Sequence, residues 1–220
     1  MPETRVLKTH WWLLRHGPVI NPDNLIYGRM DLNIDTQDQG LYGALAHCLP
    51  WDSIFLTSQR NRTLATLETM AAAANLPRPA YQARAEFNEQ DFGDWEGQTW
   101  EALYRQGRSQ RFWRDPAQQR PPGGESFADV LARVTQGLGE QTAEHAGQNL
   151  VLIAHGGSIR AALAQALGLS AAAALRFSID YGTITKLTHF ALCDGTETWQ
   201  VECVNACPRR PKSDKKESCI

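Results

Sequence analysis

Residues 149–168, NLVLIAHGGSIRAALAQALG, carry a strand pattern and a helix pattern on either side of one sharp turn. The run NLVLIAH is short and apolar, which is typical of a buried strand. Beyond two glycines, apolar residues recur at helical spacing from Ile159 to Leu167, and Gly168 has the position of a helix C-cap. A strand that turns directly into a helix is the repeating unit of α/β folds, so this stretch indicates the fold class.

The same alternation runs along the rest of the chain. Further short apolar runs predict strands at 10–16, 52–58, 183–190 and 198–205. Helical spacing predicts helices between Leu64 and Ala74 and between Phe127 and Leu138. We therefore predict one α/β domain over residues 1–206, built in three layers, with a mostly parallel central sheet and helices on both of its faces.

The composition is that of an ordinary globular protein, since 42% of the 220 residues are hydrophobic and 21% are charged. The formal net charge of −2 gives no support for nucleic-acid binding. Residues 207–220 form a basic tail without apolar periodicity. We expect this tail to be disordered and solvated, and a contact with an anionic surface is the alternative.

The five cysteines are odd in number, scattered and without a C-x-x-C pair, which is typical of a reducing compartment. No apolar run reaches the roughly 18 residues that a membrane-spanning helix needs. The first residues also lack the apolar core of a signal peptide. We therefore expect a soluble, cytoplasmic protein without a membrane partner.

Histidines and arginines stand where three of the predicted strands end. The first strand runs into Arg15 and His16, the second is followed by Arg62, and the run NLVLIAH ends at His155. Parallel strands of an α/β sheet place their carboxyl ends at one edge, where such sheets bind ligands. Taken singly, each of these residues has a structural reading, but together they predict a site.

The charge of this group predicts an anionic ligand. Two arginines and two imidazoles repel one another in a partly desolvated site unless an anion lies among them. Phosphate suits the planar fork of arginine, and the helix that begins after His155 adds backbone N–H groups near Gly156. The six histidines show no H-E-x-x-H or H-x-H spacing, so a zinc hydrolase has little support.

Four motifs in this order resemble the signatures of the histidine phosphatase superfamily, also called the phosphoglycerate mutase-like superfamily. The resemblance covers about residues 10–190, and its motifs are LLRHG at 13–17, SQRNRTLAT at 58–66, NEQDFGDWEG at 88–97 and LIAHGGSIR at 152–160. It implies that His16 attacks phosphorus and forms a phosphohistidine, without a metal or other cofactor. A neutral imidazole is a competent nucleophile near pH 7 when its second nitrogen is fixed by an acceptor.

The resemblance also implies roles for the neighbouring residues. Arg15, Arg62 and Gly156 would bind phosphate, and His155 would act beside them as a catalytic residue. The carboxylic acid of the third motif aligns with Glu89, which would protonate the leaving oxygen as the general acid.

The resemblance also gives three weaker candidates for substrate binding. Asn21 stands one place before the position usual for an asparagine in the family, which is Pro22 in this chain. Glu125 and Ser126 fall where the G-E-S signature of the family borders the pocket. Ser126 also has a structural reading, because Ser126 and Asp129 have the spacing of a helix capping pair.

The segment between Glu89 and Glu125 is expected to set substrate choice. Arginines recur there at every third residue, which predicts a helix with a drifting basic stripe that is either a solvated face or a collector of anionic substrate. They are Arg105, Arg108, Arg111 and Arg114.

The short segment and modest length resemble the small phosphatases of the superfamily, including α-ribazole phosphatases of cobalamin biosynthesis. The expected function is metal-independent hydrolysis of a phosphomonoester, with a small phosphorylated metabolite as partner. A cofactor-dependent phosphoglycerate mutase and a non-catalytic phosphoester-binding protein are the alternatives. These motifs do not identify the non-phosphate part of the substrate. They also leave open whether the protein forms a homodimer.

Overall fold

The apolar runs predicted as strands lie in one sheet, which has six strands among the described residues. A computed structural model of the chain describes residues 6–208. The strands are β1 (Leu7–Arg15), β2 (Ile54–Thr57), β3 (Tyr81–Ala83), β4 (Asn149–Ala154), β5 (Ile184–Ala191) and β6 (Glu197–Ala206). They lie in the order β3-β2-β4-β1-β5-β6.

The strand directions confirm a mostly parallel sheet. β1 and β4, β4 and β2, and β2 and β3 pair in parallel, whereas β5 is antiparallel to both β1 and β6. The register sets Arg15 opposite Ala154 and Thr57 opposite Ile153. The carboxyl ends of three adjacent strands therefore meet at one edge, as the sequence predicts.

Seven helices lie within residues 6–208. They are α1 (Gln39–Cys48), α2 (Asn61–Ala73), α3 (Trp100–Arg105), α4 (Gln110–Arg114), α5 (Phe127–Glu144), α6 (Gly156–Leu167) and α7 (Ala171–Ala174). Two 3-10 turns, Ala85–Phe87 and Gly93–Trp95, lie in the connection between β3 and α3.

Alternation along the central strands divides the core between the two faces of the sheet. Trp11 and Leu13 of β1 belong to a buried cluster with apolar residues of α5 and α6. Leu14 of β1 and Phe55 of β2 belong to a second cluster with residues of α1 and α2. Side chains of successive strand residues point to opposite faces, so this arrangement confirms three layers.

Local signals account for two of the helix ends. Gly168 follows α6 with φ 63°, a left-handed conformation that suits glycine. Ser126 caps α5: its hydroxyl accepts from the Asp129 N–H, and the Asp129 carboxylate accepts from the Ser126 N–H. Both features agree with the sequence prediction.

The prediction of one helix with an arginine stripe is wrong. The segment forms two short helices, α3 and α4, separated by a turn in which Gly107 has φ 72°. Arg105 pairs with Glu101 within α3, whereas Arg108 lies in the turn and donates to Gln98. A continuous stripe is therefore absent from this segment. The predicted basic tail, residues 207–220, lies outside the described residues except for Cys207 and Pro208.

Candidate active site

The two strand-end histidines meet at the carboxyl edge of the sheet. His16 follows β1 and His155 follows β4, and the His16 N–H donates to the Ala154 carbonyl (3.0 Å). Both side chains are buried, and their ring centroids lie 5.2 Å apart. The parallel register of β1 and β4 thus places two imidazoles side by side.

The ring of His16 is fixed in one tautomer by its own neighbour. Its Nδ1 lies 2.8 Å from the Gly17 carbonyl oxygen, an acceptor only, so Nδ1 carries the proton and donates. The lone pair is then on Nε2. Burial, followed by the charges of Arg62 and Arg15, holds the pKa of His16 well below its usual range. His16 is therefore a neutral imidazole with a free Nε2 lone pair near pH 7.

His155 has the opposite tautomer. Arg62 Nε donates to its Nδ1 (3.3 Å), which leaves Nε2 as the nitrogen that donates to the Ser58 hydroxyl (2.8 Å). Burial and then the charge of Arg62 hold the pKa of His155 well below its usual range. His155 is thus oriented from both sides, by residues that follow β2.

Arg62 is a fully buried guanidinium held by a loop from another part of the chain. Its Nη2 donates to the Gly28 carbonyl (2.7 Å), and its Nη1 donates to the Met30 carbonyl (3.0 Å) and to Asp31 Oδ1 (3.1 Å). Gly28 and Asp31 therefore orient this arginine from the side opposite His155. Fixing the guanidinium in advance removes the ordering cost that a flexible cation would have on binding an anion.

Arg15 is held by a pair of tyrosines that the sequence analysis does not single out. Its guanidinium lies over the ring of Tyr181 at 3.8 Å, and its Nη1 donates to the Ile179 carbonyl (2.5 Å). Tyr181 shares a 2.5 Å hydrogen bond with the hydroxyl of Tyr27, whose ring lies 5.1 Å from the Arg62 guanidinium. The two tyrosines thus connect the two arginines around His16, and burial raises the pKa of Tyr27.

The Arg15 Nε is buried and has no hydrogen-bond partner among the described residues. A buried N–H without an acceptor is costly, and an anionic oxygen is the acceptor that a guanidinium prefers. This unpaired donor lies on the side chain next to the candidate nucleophile, so it favours an oxyanion as the ligand of the site.

Glu89 lies at the first turn of α6. The Gly157 N–H donates to its carboxylate (3.1 Å to Oε1), and so does the Gln90 N–H (3.0 Å). A Cβ at position 157 would lie 2.2 Å from Glu89 Oε1, so this approach requires glycine. The second glycine of the HGG turn therefore holds the predicted acid.

Arg133 fixes the backbone around Glu89. This arginine reaches from α5 and donates to the carbonyls of Glu86 (2.8 Å), Asn88 (2.8 Å) and Glu89 (3.1 Å). It also forms a two-point ion pair with Glu125. The position of Glu89 thus depends on an arginine that belongs to none of the four sequence motifs.

Gly156 begins α6, where backbone N–H groups have no acceptor within the helix. A Cβ at this position would lie 3.6 Å from the guanidinium carbon of Arg15 and 3.6 Å from Nη1 of Arg160. The structure therefore adds Arg160 to the site. Arg160 donates from Nε to the Phe177 carbonyl (2.8 Å), and burial lowers its pKa while the charge of Glu89 opposes that shift.

The three weaker substrate-binding candidates are engaged in structural contacts, and their role in substrate binding stays a prediction. The Asn21 amide both donates to and accepts from the backbone of Leu25. Glu125 accepts from Arg133 and from the Asp91 N–H. Ser126 caps α5, and its hydroxyl donates to Asp129 (2.6 Å). Their polar groups are already satisfied, so a substrate would have to break these contacts to bind them.

Within residues 6–208, no three His, Cys, Asp or Glu side chains are grouped so that they could hold a metal ion. The same part of the chain contains no helix with the length and apolar character needed to cross a membrane.

The site can hold an oxyanion beside a neutral nucleophile and a carboxyl group. Arg15, Arg62 and Arg160 supply guanidinium donors, His16 supplies the lone pair, and Glu89 lies at the start of α6. Fixed cations around a phosphoryl group offset the charge that develops during in-line transfer.

Comparison with known proteins agrees with this geometry. The family described as histidine phosphatase superfamily (branch 1) matches residues 11–205. A 2,3-bisphosphoglycerate-dependent phosphoglycerate mutase 2 of Gloeobacter violaceus is 31% identical, over 84% of this chain and 86% of its own. The adenosylcobalamin/alpha-ribazole phosphatase of Escherichia coli is 28% identical, over 78% of this chain and 85% of its own.

Among solved structures, a mycobacterial glucosyl-3-phosphoglycerate phosphatase in complex with VO3 is similar to this chain. It has a TM-score of 0.75 and 25% identity, and the match covers 90% of this chain and 99% of that chain.

Proposed function

Since the chain belongs to branch 1 of the histidine phosphatase superfamily, we propose that it hydrolyses phosphate monoesters through a phosphohistidine formed on His16, without a metal ion. The state of His16 is the observation that carries this proposal. Its Nδ1 proton is held by the Gly17 carbonyl, its pKa is lowered, and cations flank it. Its Nε2 is therefore ready to attack phosphorus.

In the first step, the Nε2 lone pair forms the N–P bond while the bond between phosphorus and the leaving oxygen breaks. Glu89 gives its proton to that oxygen, so the leaving group departs as an alcohol. Arg15 and Arg62 hold the remaining phosphoryl oxygens, and His155 joins them when its Nε2–H turns from the Ser58 hydroxyl to a phosphoryl oxygen.

In the second step, water attacks phosphorus and loses a proton to the Glu89 carboxylate. The N–P bond breaks, its electron pair returns to Nε2, and inorganic phosphate leaves. Glu89 thereby regains the proton that it gave to the leaving oxygen, and His16 is neutral again.

The partner of this reaction is a small phosphorylated metabolite. α-Ribazole 5′-phosphate, an intermediate of cobalamin biosynthesis, is the specific candidate, and the similarity to the alpha-ribazole phosphatase of Escherichia coli supports it.

The test is phosphate release from a panel of monoesters in excess chelator. The panel contains α-ribazole 5′-phosphate and 3-phosphoglycerate, and the proteins are wild type, His16→Ala and His189→Ala. We expect chelator-resistant release that His16→Ala abolishes and His189→Ala retains, because His189 lies beside Glu197 and away from the site. A denaturing quench at alkaline pH, where the N–P bond of phosphohistidine survives, should trap label from a phosphorus-labelled ester on the protein only when His16 is present. Release that His16→Ala retains would refute the proposal.

A phosphoglycerate mutase is the second candidate, because the Gloeobacter violaceus relative carries that name. A mutase must return the phosphoryl group to substrate rather than to water. Isomerisation of 3-phosphoglycerate that depends on a bisphosphate primer, at a rate exceeding phosphate release, would favour it. Tight ester binding without either reaction would instead indicate a phosphoester-binding protein.

A further inference from the structure

An aromatic cavity of about 340 Å³ lies beside the site, and no step of the proposed reaction uses it. Phe92, Trp100, Phe112 and Trp113 contribute aromatic walls, and Gln90 and Arg160 also line it. The aromatic residues come from the segment between the acid and α5. Cavities with apolar walls and a few polar groups are the usual form of small-molecule sites.

The cavity shares a wall with the phosphate-binding edge. Nη1 of Arg160 and the guanidinium carbon of Arg15 each lie 3.6 Å from the point where a Cβ of Gly156 would stand. Arg160 therefore borders the phosphate site on one side and the aromatic cavity on the other. A ligand whose phosphoryl group lies between Arg15 and His16 has the cavity within reach.

The direction of the reaction brings the leaving group to Glu89, which lies between two cavities. In-line transfer places the leaving oxygen on the side of phosphorus opposite the attacking nitrogen. The group that protonates this oxygen is Glu89 in the proposed function, and Gln90, the next residue, lines the cavity. The cavity that Glu89 itself lines has mostly charged walls, so an apolar organic part would gain contacts only on the side of the aromatic walls.

The aromatic walls pack on one another and leave apolar surface exposed to solvent. Trp100 stacks on buried Phe112 with ring centroids 5.5 Å apart, and it lies 4.9 Å from Trp113. Phe112 packs in turn on buried Trp95. Trp113 is nonetheless 52% exposed, so a large apolar ring faces solvent at the rim of the cavity. A flat apolar group that entered would remove this surface from water.

We propose that this cavity is a leaving-group subsite for monoesters whose alcohol carries an aromatic or heteroaromatic ring. The subsite rests on the proposed function, since that function supplies the phosphoryl anchor and the direction of the leaving group. Trp113 and Trp100 stack on the ring, and Arg160 closes the inner end. A compact polar acid such as phosphoglycerate gains little from these walls.

The test compares phenethyl phosphate with ethyl phosphate, because both release a primary alcohol and differ in the ring. The variant is Trp113→Ala, which truncates an exposed side chain. Its matched control is Tyr104→Ala, which truncates another exposed aromatic residue (61%) of the same segment that does not line the cavity.

We expect wild type to prefer phenethyl phosphate by about tenfold in kcat/KM, which corresponds to about 1.4 kcal/mol. Trp113→Ala should remove most of that preference through KM and leave turnover of ethyl phosphate unchanged, whereas Tyr104→Ala should retain it. A wild type without preference, or an equal loss on both esters, would overturn the subsite. A change of oligomeric state in Trp113→Ala with the preference intact would also overturn it, since Trp113 would then be an interface residue.

Binding of inert analogues separates the subsite from the proposed hydrolysis. Calorimetry would compare 3-phenylpropylphosphonate with propylphosphonate on the wild-type protein. Tighter binding of the phenyl compound, lost in Trp113→Ala, would support the subsite even if no ester were hydrolysed. Hydrolysis without this difference would support the function and overturn the subsite.

Discussion

Two pairs of histidines lie on the same sheet in opposite electrostatic surroundings. In the antiparallel half, where β1, β5 and β6 pair, His10 of β1 lies 3.8 Å from a carboxylate oxygen of Glu202, and His189 of β5 lies 3.5 Å from one of Glu197. At the carboxyl edge of the parallel half, the charges that act on His16 and His155 are mainly those of arginines. The first pair has acidic partners, whereas the second pair is buried beside cations.

This difference shows how the fold makes a nucleophile from an ordinary side chain. An imidazole beside arginines, buried and with its Nδ1 proton held by a backbone carbonyl, stays neutral and keeps its Nε2 lone pair. Both halves use the same residue type on neighbouring strands. The parallel edge differs because α2 brings Arg62 there, whereas glutamates of β6 face the histidines of the antiparallel half.

The sharpest test of the comparison removes one acid from each half. Glu89→Gln keeps the size of the side chain and its hydrogen bond from Gly157, but it cannot supply a proton. We expect kcat for ethyl phosphate to fall by about 10²–10⁴-fold, the usual contribution of a general acid. Glu197→Gln, the control in the antiparallel half, should stay within about twofold of wild type, because no step of the proposed reaction involves Glu197.

An aryl ester with a more acidic leaving group should be less sensitive to Glu89→Gln in the first step, because its leaving oxygen needs less help from a proton. Steady-state and burst kinetics with both esters would measure this. An equal effect of Glu197→Gln and Glu89→Gln would contradict the assignment of the acid.

The second test removes one cation from each half. Arg62→Met deletes the guanidinium that contacts the Gly28 carbonyl, Asp31 and His155. We expect kcat/KM to fall by about 10²–10³-fold, as for the loss of a fixed electrostatic donor. Lys186→Met, which deletes the partner of Glu202 (2.7 Å), should leave kcat/KM unchanged.

Thermal unfolding of both variants is the control for folding. A well-folded Arg62→Met protein with near-normal kcat/KM would show that Arg62 has only a structural role.

The sequence predicts the parallel edge well because its signals are local. The run NLVLIAH, the two glycines and the helical spacing up to Gly168 each act within a few residues. β3 escapes prediction because it has three residues, two of them exposed, and so has no apolar pattern. The arginine spacing at 105–114 predicts one helix, but the left-handed turn at Gly107 divides it.

The surroundings of the site could not be predicted because they depend on distant pairings. Tyr27 and Tyr181 are separated by 154 positions, and neither stands in a pattern that indicates a contact. In the sequence Arg160 is one more helix residue, and only the structure shows that its Nη1, like the guanidinium carbon of Arg15, lies 3.6 Å from the Cβ position of Gly156. Glu125 matches the family pattern in position and Asn21 stands one place before it, but the pattern does not show that both side chains bind neighbouring protein atoms.

The third test uses the pKa difference between folded and unfolded protein. The pKa values of His16 and His155 are lowered on folding, so below about pH 6.5, the ordinary value, the unfolded state binds more protons. The free energy of unfolding should therefore fall as pH drops below about 6.5, by up to about 1.4 kcal/mol per pH unit for each histidine. Above that pH their contribution is constant.

Denaturant unfolding between about pH 7 and pH 5, the range around the ordinary histidine pKa, would measure this slope. His16→Gln should flatten the slope, and His16→Gln with His155→Gln should flatten it further. Inorganic phosphate should reduce the slope in wild type, because a bound anion favours the protonated imidazoles. A slope that both variants share with wild type would show that it does not arise from these two histidines.

The smallest expected effect concerns the tyrosine pair that joins the two arginines. Tyr27→Phe removes one hydroxyl and keeps the ring beside Arg62, and Tyr181→Phe does the same beside Arg15. We expect each variant to lose a few-fold in kcat/KM and about 1 kcal/mol of unfolding free energy, the usual net value of one hydrogen bond. Since both variants break the same bond, the double variant should lose little more than either one.

Tyr81→Phe, on edge strand β3, is the matched control. Additive losses would show that each hydroxyl acts separately, and a gain in kcat/KM would show that the pair hinders entry of the ester rather than positioning the arginines.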